Sequence, residues 1–307
     1  MSKENQCTGV IVPMVTPVTE NGEIDLVSTH RLITYIIENG AAPFVLGTTG
    51  ESASVSSSQR LLLVRQMVES TGQNSLTYAG ISSNSLENSL EMARAYFDLG
   101  IDVVVAHPPC YYPLNDDMML RYFEKLVEKL PGPLILYNIP QVTHCSMSLE
   151  VVDHLSYHQK IIGIKDSERD LERLKQSLLR WSGRSDFVHV VGWGAQMNFG
   201  LLNGSSGIVP SSGNIAPRLY ADLFQMAIKQ NISELNRLQD LANQISAVYQ
   251  RERTLGHSLA ALKVMLHHLG ICEPHVLPPL QRLTLAEEDS IIREMSKFEI
   301  LNSVIEN

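Results

Sequence analysis

The sequence predicts an α/β chain, a (β/α)8 TIM barrel with a C-terminal helical extension, on three observations. Eight short β-branched runs, centred on Val10, Phe44, Thr77, Val103, Leu134, Ile162, Val188 and Ile208, recur 20 to 34 positions apart. Each interval can hold the crossover helix that parallel strands require, and eight such units within about 230 residues is the count for a closed barrel. The first run, Gly9-Val10-Ile11-Val12-Pro13, leads into Thr16-Pro17 rather than GxGxxG, which weighs against a doubly wound dinucleotide-binding sheet. After Pro217 the strands stop, and the remainder reads as helices.

Taken in order, the elements are punctuated as the pattern demands. Gly40, Gly72 and Gly100 each close a periodic segment and precede a strand, where a helix C-cap favours glycine. Leu86, Leu90, Ala93 and Phe97 fall at helical spacing, with Asn84 and Glu87 placed to cap the start. The tail reads as helices over Leu235 to Tyr249, His257 to Leu269 and Ala286 to Ile300. No linker or low-complexity tract interrupts the chain, so a barrel over 1–230 and a helical bundle over 231–307 are expected.

Composition narrows the function classes. With 307 residues, 44% hydrophobic, the chain can bury a sizeable core. Its longest apolar runs, 101–106 and 133–139, are far shorter than the ~18 residues a membrane helix needs, and residues 1–6 are too polar for a signal peptide. A cytoplasmic chain without membrane contact is the expectation. Net charge is −9 with no Lys/Arg block, which disfavours nucleic acid as a partner. Cys7, Cys110, Cys145 and Cys272 lack CxxC or CxxH spacing, and HExxH, GxSxG and GxxxxGK[ST] are absent. Neither a metal nor an organic cofactor is signalled.

Barrel enzymes carry their chemistry at the C-terminal ends of strands. The second strand ends in Gly47-Thr48-Thr49-Gly50-Glu51-Ser52, which is either an ordinary βα turn or a carboxylate cradle made of backbone N–H groups and a Thr hydroxyl. The fifth ends in Tyr137-Asn138-Ile139-Pro140, whose phenol either fills the top layer of the barrel or moves a proton. The sixth ends in Lys165-Asp166-Ser167. A lysine directly after an apolar strand snorkels to solvent or stays partly desolvated, where burial favours the neutral, nucleophilic amine. Together, the amine, the carboxylate turn and the phenol are the parts needed for Schiff-base chemistry on a 2-oxo acid.

At these residues the sequence resembles the dihydrodipicolinate synthase/N-acetylneuraminate lyase family of pyruvate-dependent class I aldolases. The resemblance spans Val15-Thr16-Pro17 with Gly22-Glu23-Ile24-Asp25, the GTTGE turn, Pro109-Cys110-Tyr111-Tyr112-Pro113, the YNIP strand end, Gly163-Ile164-Lys165-Asp166 and Gly204-Ser205-Ser206-Gly207-Ile208. It implies that Lys165 forms the imine with pyruvate, that Thr48 and Thr49 hold the carboxylate, and that Tyr137 relays protons. Gly47, Ser167, Gly192 and Ile208 are implied around the substrate. The family's usual homotetramer, a dimer of dimers, would bring Tyr111 to a neighbouring subunit's site. No cofactor is implied.

Two departures bear on the second substrate. By the resemblance, the family's synthases carry an Arg two residues after YNxP that binds the aldehyde's carboxylate, where this chain has Val142, and its sialic acid lyases carry an acidic pair that holds the polyol tail, where this chain has Gly194-Ala195. The expectation is therefore an aldolase of 2-keto-3-deoxy sugar acids or 4-hydroxy-2-oxo acids, joining pyruvate to an aldehyde or releasing it. Dihydrodipicolinate (4-hydroxy-tetrahydrodipicolinate) synthesis is the second reading, and a non-catalytic 2-oxo acid binding barrel is the third.

Overall fold

The structure is a computed structural model that describes residues 7–298. Eight parallel strands, β1 (Gly9–Pro13), β2 (Ala42–Val45), β3 (Tyr78–Gly80), β4 (Val103–Ala106), β5 (Leu134–Asn138), β6 (Ile161–Asp166), β7 (Val188–Val191) and β8 (Gly207–Ile208), pair in sequence order. The barrel closes where β8 pairs with β1. The expected (β/α)8 architecture is thus present. Of the anticipated strand centres, Thr77 falls one residue ahead of its strand. Its amide and hydroxyl are taken up by the Asp102 carboxylate at 3.1 and 2.9 Å.

The outer layer comprises α1 (Leu26–Glu38), α2 (Ser57–Thr71), α3 (Leu86–Leu99), α4 (Asp116–Lys129), the short α5 (Pro140–Thr143), α6 (Leu149–Leu155), α7 (Leu171–Trp181), α8 (Met197–Leu202) and α9 (Pro217–Ile228). Three further helices follow: α10 (Ile232–Gln250), α11 (Leu255–His268) and α12 (Leu285–Met295). Gly40, Gly72 and Gly100 all take positive φ where helices end. The cap of α3 differs from expectation: Ser85 accepts from the Asn88 amide, while the Asn84 carboxamide oxygen accepts from the amides of Cys110 and Tyr111. Asn84 therefore holds the Cys110-Tyr111 loop rather than a helix start. Tyr96, not Phe97, is the fully buried aromatic of that helix. The last helix ends at Met295, and the expected end at Ile300 lies outside the described residues.

Strand alternation divides the core in two. Ile11, Phe44, Tyr78, Val105, Ile135, Tyr137 and Val190 pack inside the barrel. Val12, Val45, Val104, Leu136, Ile164 and Ile208 face outward to the helices, and the same apolar cluster continues through Leu235, Ala242, Ile245 and Leu262 of α10 and α11. The boundary anticipated after 230 falls in the turn between α9 and α10, across which the core continues. Among the described residues no helix is long and apolar enough to cross a membrane. None of the four cysteines is in a disulfide.

Candidate active site

A β-bulge aims the lysine. Leu134 pairs with Ile161, but Ile135 pairs with Gly163, so β6 carries one extra residue at Ile162. Unbroken register would set Tyr137 beside Ile164 and turn Lys165 outward. The bulge sets Tyr137 beside Lys165 on the same inner face. Gly163 is required there, since a Cβ would lie 2.4 Å from both the Val188 carbonyl oxygen and its Cγ2.

Lys165 is 5% exposed, and its Nζ lies 3.9 Å from the Tyr137 ring centroid and 5.2 Å from that of Phe44. Among the described residues it forms no ion pair. The Tyr137 hydroxyl is 3.4 Å from Thr48 Oγ1. In the Gly47–Ser52 turn the amides of Gly50, Glu51 and Ser52 are satisfied by the Gly47 and Thr48 carbonyls. The Thr48 and Thr49 amides pair with no acceptor among the described residues. These two free N–H groups lie in a turn that lines the same cavity as the Lys165 amine, and successive backbone N–H groups of this kind are the donors a carboxylate needs. Thr16 Oγ1 donates to the Gly50 carbonyl at 2.6 Å and pins the turn from below. Glu51, in the left-handed region at φ 54, forms a 2.5 Å ion pair with Lys263 of α11, both side chains wholly buried. Glu51 also accepts from the Leu277 amide at 2.7 Å.

Gly192 and Ser167 lie at adjoining strand ends. The Gly192 amide donates to the Asp166 carbonyl at 2.7 Å, and a Cβ at Gly192 would come within 2.0 Å of Ser167 Oγ. Outside the barrel wall, Asp166 accepts from Asn138 (2.9 Å) and Arg173 (2.8 Å), and Glu168 accepts from Asn138 (2.9 Å) and lies 3.2 Å from Arg173. The strand end that carries Lys165 is therefore fastened on its far side by a half-dry polar network. Sequence reading missed it, although the acids of Lys165-Asp166-Ser167-Glu168 were its visible half.

Lys165, Tyr137, Thr48, Thr49, Ser167 and Gly192 line one cavity of about 710 Å³ at the barrel mouth. Its far wall comes from α10 and the turn into α11, including Asn243, Ser246, Arg251 and Arg253. Gly47 lies in the turn beneath it. Ile208 does not join this set: its side chain packs outward among the helices, and the next residue, Val209, lines the cavity instead. Tyr111 is 75% exposed, packs edge-on against Tyr112 and does not line the cavity. His107 was also missed. Its ring meets Tyr137 edge-on at 6.3 Å, and burial, with Lys165 nearby, lowers its basicity below the ordinary histidine range. A histidine after a strand run was the available signal.

The family model described as the dihydrodipicolinate synthetase family matches residues 6–297. Relatives named 4-hydroxy-tetrahydrodipicolinate synthase include one from Laribacter hongkongensis, 32% identical over 76% of this chain and 80% of that protein. Another, from Alkalilimnicola ehrlichii, is 28% identical over 94% of this chain and 97% of that protein. The solved dihydrodipicolinate synthase of Bacteroides thetaiotaomicron is 31% identical, superposes with a TM-score of 0.90, and aligns over 95% of this chain and 98% of its own.

Proposed function

Because the chain belongs to the dihydrodipicolinate synthetase family, whose members are pyruvate-dependent class I lyases, we propose that it condenses pyruvate with aspartate semialdehyde through an imine on Lys165, giving 4-hydroxy-tetrahydrodipicolinate. The observation that carries the chemistry is the buried Lys165 amine, without an ion pair, over the Tyr137 ring in the cavity that Thr48 and Thr49 also line with free amides. The names of the relatives support the choice of aldehyde.

Pyruvate's carboxylate rests on the Thr48 and Thr49 amides, which presents its carbonyl carbon to Lys165 Nζ. Addition and loss of water give the imine, and its protonated nitrogen draws electrons so that a proton leaves the methyl carbon. Tyr137, close to the Thr48 hydroxyl, moves protons on and off the reacting oxygens. The enamine attacks the aldehyde carbon. The amine of the semialdehyde then displaces Lys165 from the imine carbon and closes a six-membered ring. Tyr111 is assigned to a neighbouring subunit's site within a tetramer.

Borohydride in the presence of pyruvate is expected to fix a mass increase on the peptide containing Lys165, and Lys165→Ala should abolish it. An adduct on another lysine overturns the assignment. Tyr137→Phe is expected to lower kcat by about 10²–10⁴-fold while imine trapping persists; near-normal kcat would return Tyr137 to packing.

A second reading, cleavage of 2-keto-3-deoxy sugar acids, is favoured by the apolar Val142 in the cavity wall. Faster turnover of 2-keto-3-deoxygluconate than of pyruvate with aspartate semialdehyde would select it.

A further inference from the structure

The charge lining the cavity is one-sided. Arg169, Arg251, Arg253 and Lys165 line it, and no aspartate or glutamate does, in a chain whose net charge is −9. None of the three arginines is within ion-pair distance of a carboxylate among the described residues. Arg253 donates from Nη1 to the Val248 carbonyl at 2.7 Å, and no other hydrogen bond of its guanidinium is present among the described residues. Arg251 and Arg253 flank Glu252, which takes φ 58 and does not line the cavity. A non-glycine residue in that region is strained, and this turn presents both arginines to the cavity while keeping the acid between them out of it.

Pyruvate has one carboxylate, and the Thr48 and Thr49 amides with the imine nitrogen already answer it. Arg169 and Arg251, exposed at the cavity rim, and the half-buried Arg253 remain without a carboxylate at ion-pair distance, Glu287 acting on Arg253 only from farther away. Like charges gathered round a cavity repel unless an anion occupies it. Resting on the pyruvate reading above, we infer that Arg169, Arg251 and Arg253 bind the carboxylate of the aldehyde partner, replacing the function that an arginine at Val142 would supply. The carboxylate reader thus comes from the loop after β6 and the α10–α11 turn, not from the strand end that bears Tyr137.

The test compares kcat/KM for pyruvate with aspartate semialdehyde, succinate semialdehyde, glyceraldehyde 3-phosphate and glyceraldehyde. These supply the carboxylate with an amine, the carboxylate alone, a phosphate and no charge. The intact protein should prefer both carboxylate aldehydes to glyceraldehyde. In Arg169→Gln and in the double variant Arg251→Gln/Arg253→Gln, that preference should fall by about tenfold or more, chiefly through the KM of the charged aldehyde. Lysine at the same positions should restore part of it, because charge survives while the bidentate fork does not.

An unchanged preference in the glutamine variants overturns the assignment, and so does a wild-type preference for glyceraldehyde. Preference for glyceraldehyde 3-phosphate over both semialdehydes overturns the carboxylate. Borohydride trapping of pyruvate is run on every protein. Its absence in the wild type sinks the pyruvate reading itself, whereas normal trapping with an unchanged preference sinks only the arginines.

Discussion

Single residues in this barrel show how burial is tolerated only when something answers it. Lys165 is answered by aromatic faces rather than by a carboxylate. His189 on β7 is a contrasting case. It is fully buried, Nε2 meets Ser177 Oγ at 3.1 Å, Nδ1 has no partner, and burial pushes the ring down to about 4. The folded state therefore keeps His189 neutral, while the unfolded chain takes up a proton below the usual value of about 6.5. Stability contributed by the neutral ring is present above that pH and is lost progressively as pH falls toward 4, by roughly 3 kcal/mol. Denaturant midpoints at pH 7 and pH 4.5 should differ less in His189→Gln than in the wild type. Parallel pH profiles would remove His189 as a source of acid lability.

At the scale of elements, the Glu51–Lys263 pair ties the Gly47–Ser52 turn after β2 to α11. Both side chains are wholly buried, and Lys263 also donates to the His275 carbonyl at 2.6 Å. Removing one member strands a charge in a dry core. Lys263→Met is thus expected to cost about 3–5 kcal/mol in a urea melt, and Lys263→Met/Glu51→Gln should recover part of that loss. Because Glu51 belongs to the turn proposed to hold pyruvate, the single variant should also raise the KM for pyruvate more than it lowers kcat. A stability loss under 1 kcal/mol would mean that the pair contributes little beyond packing.

For the whole molecule, the C-terminal helices act as a wall of the site and a lid on the core. Leu235, Leu238, Ile245 and Val248 of α10 are buried. At about 1.5–3 kcal/mol apiece, their burial is comparable with the ~5–15 kcal/mol of net stability of a folded chain. A chain ending at 230 should therefore fail to give a cooperative melt and should bind a hydrophobic dye. A soluble fragment with a sharp transition would establish the barrel as an independent folding unit.

What the sequence determined by itself was local and periodic. The β-branched runs and the intervals between them required strands joined by crossover helices, and the strand-end position of Lys165, Tyr137 and Thr48-Thr49 put them at one mouth. Register was not legible. Whether Lys165 points in or out depends on one extra residue in β6 opposite β5, a property of the pairing and not of either strand. The sequence also looked for a cation at Val142 alone. Barrel closure and the return of α10 across the mouth carry Arg251 and Arg253 into the cavity that holds Lys165, although they lie more than 80 positions away along the chain. The same distance hid the Glu51–Lys263 pair. Periodicity reports which face of an element is buried, but charge complementarity in a site is a sum over elements, and tertiary packing alone decides which elements enter it.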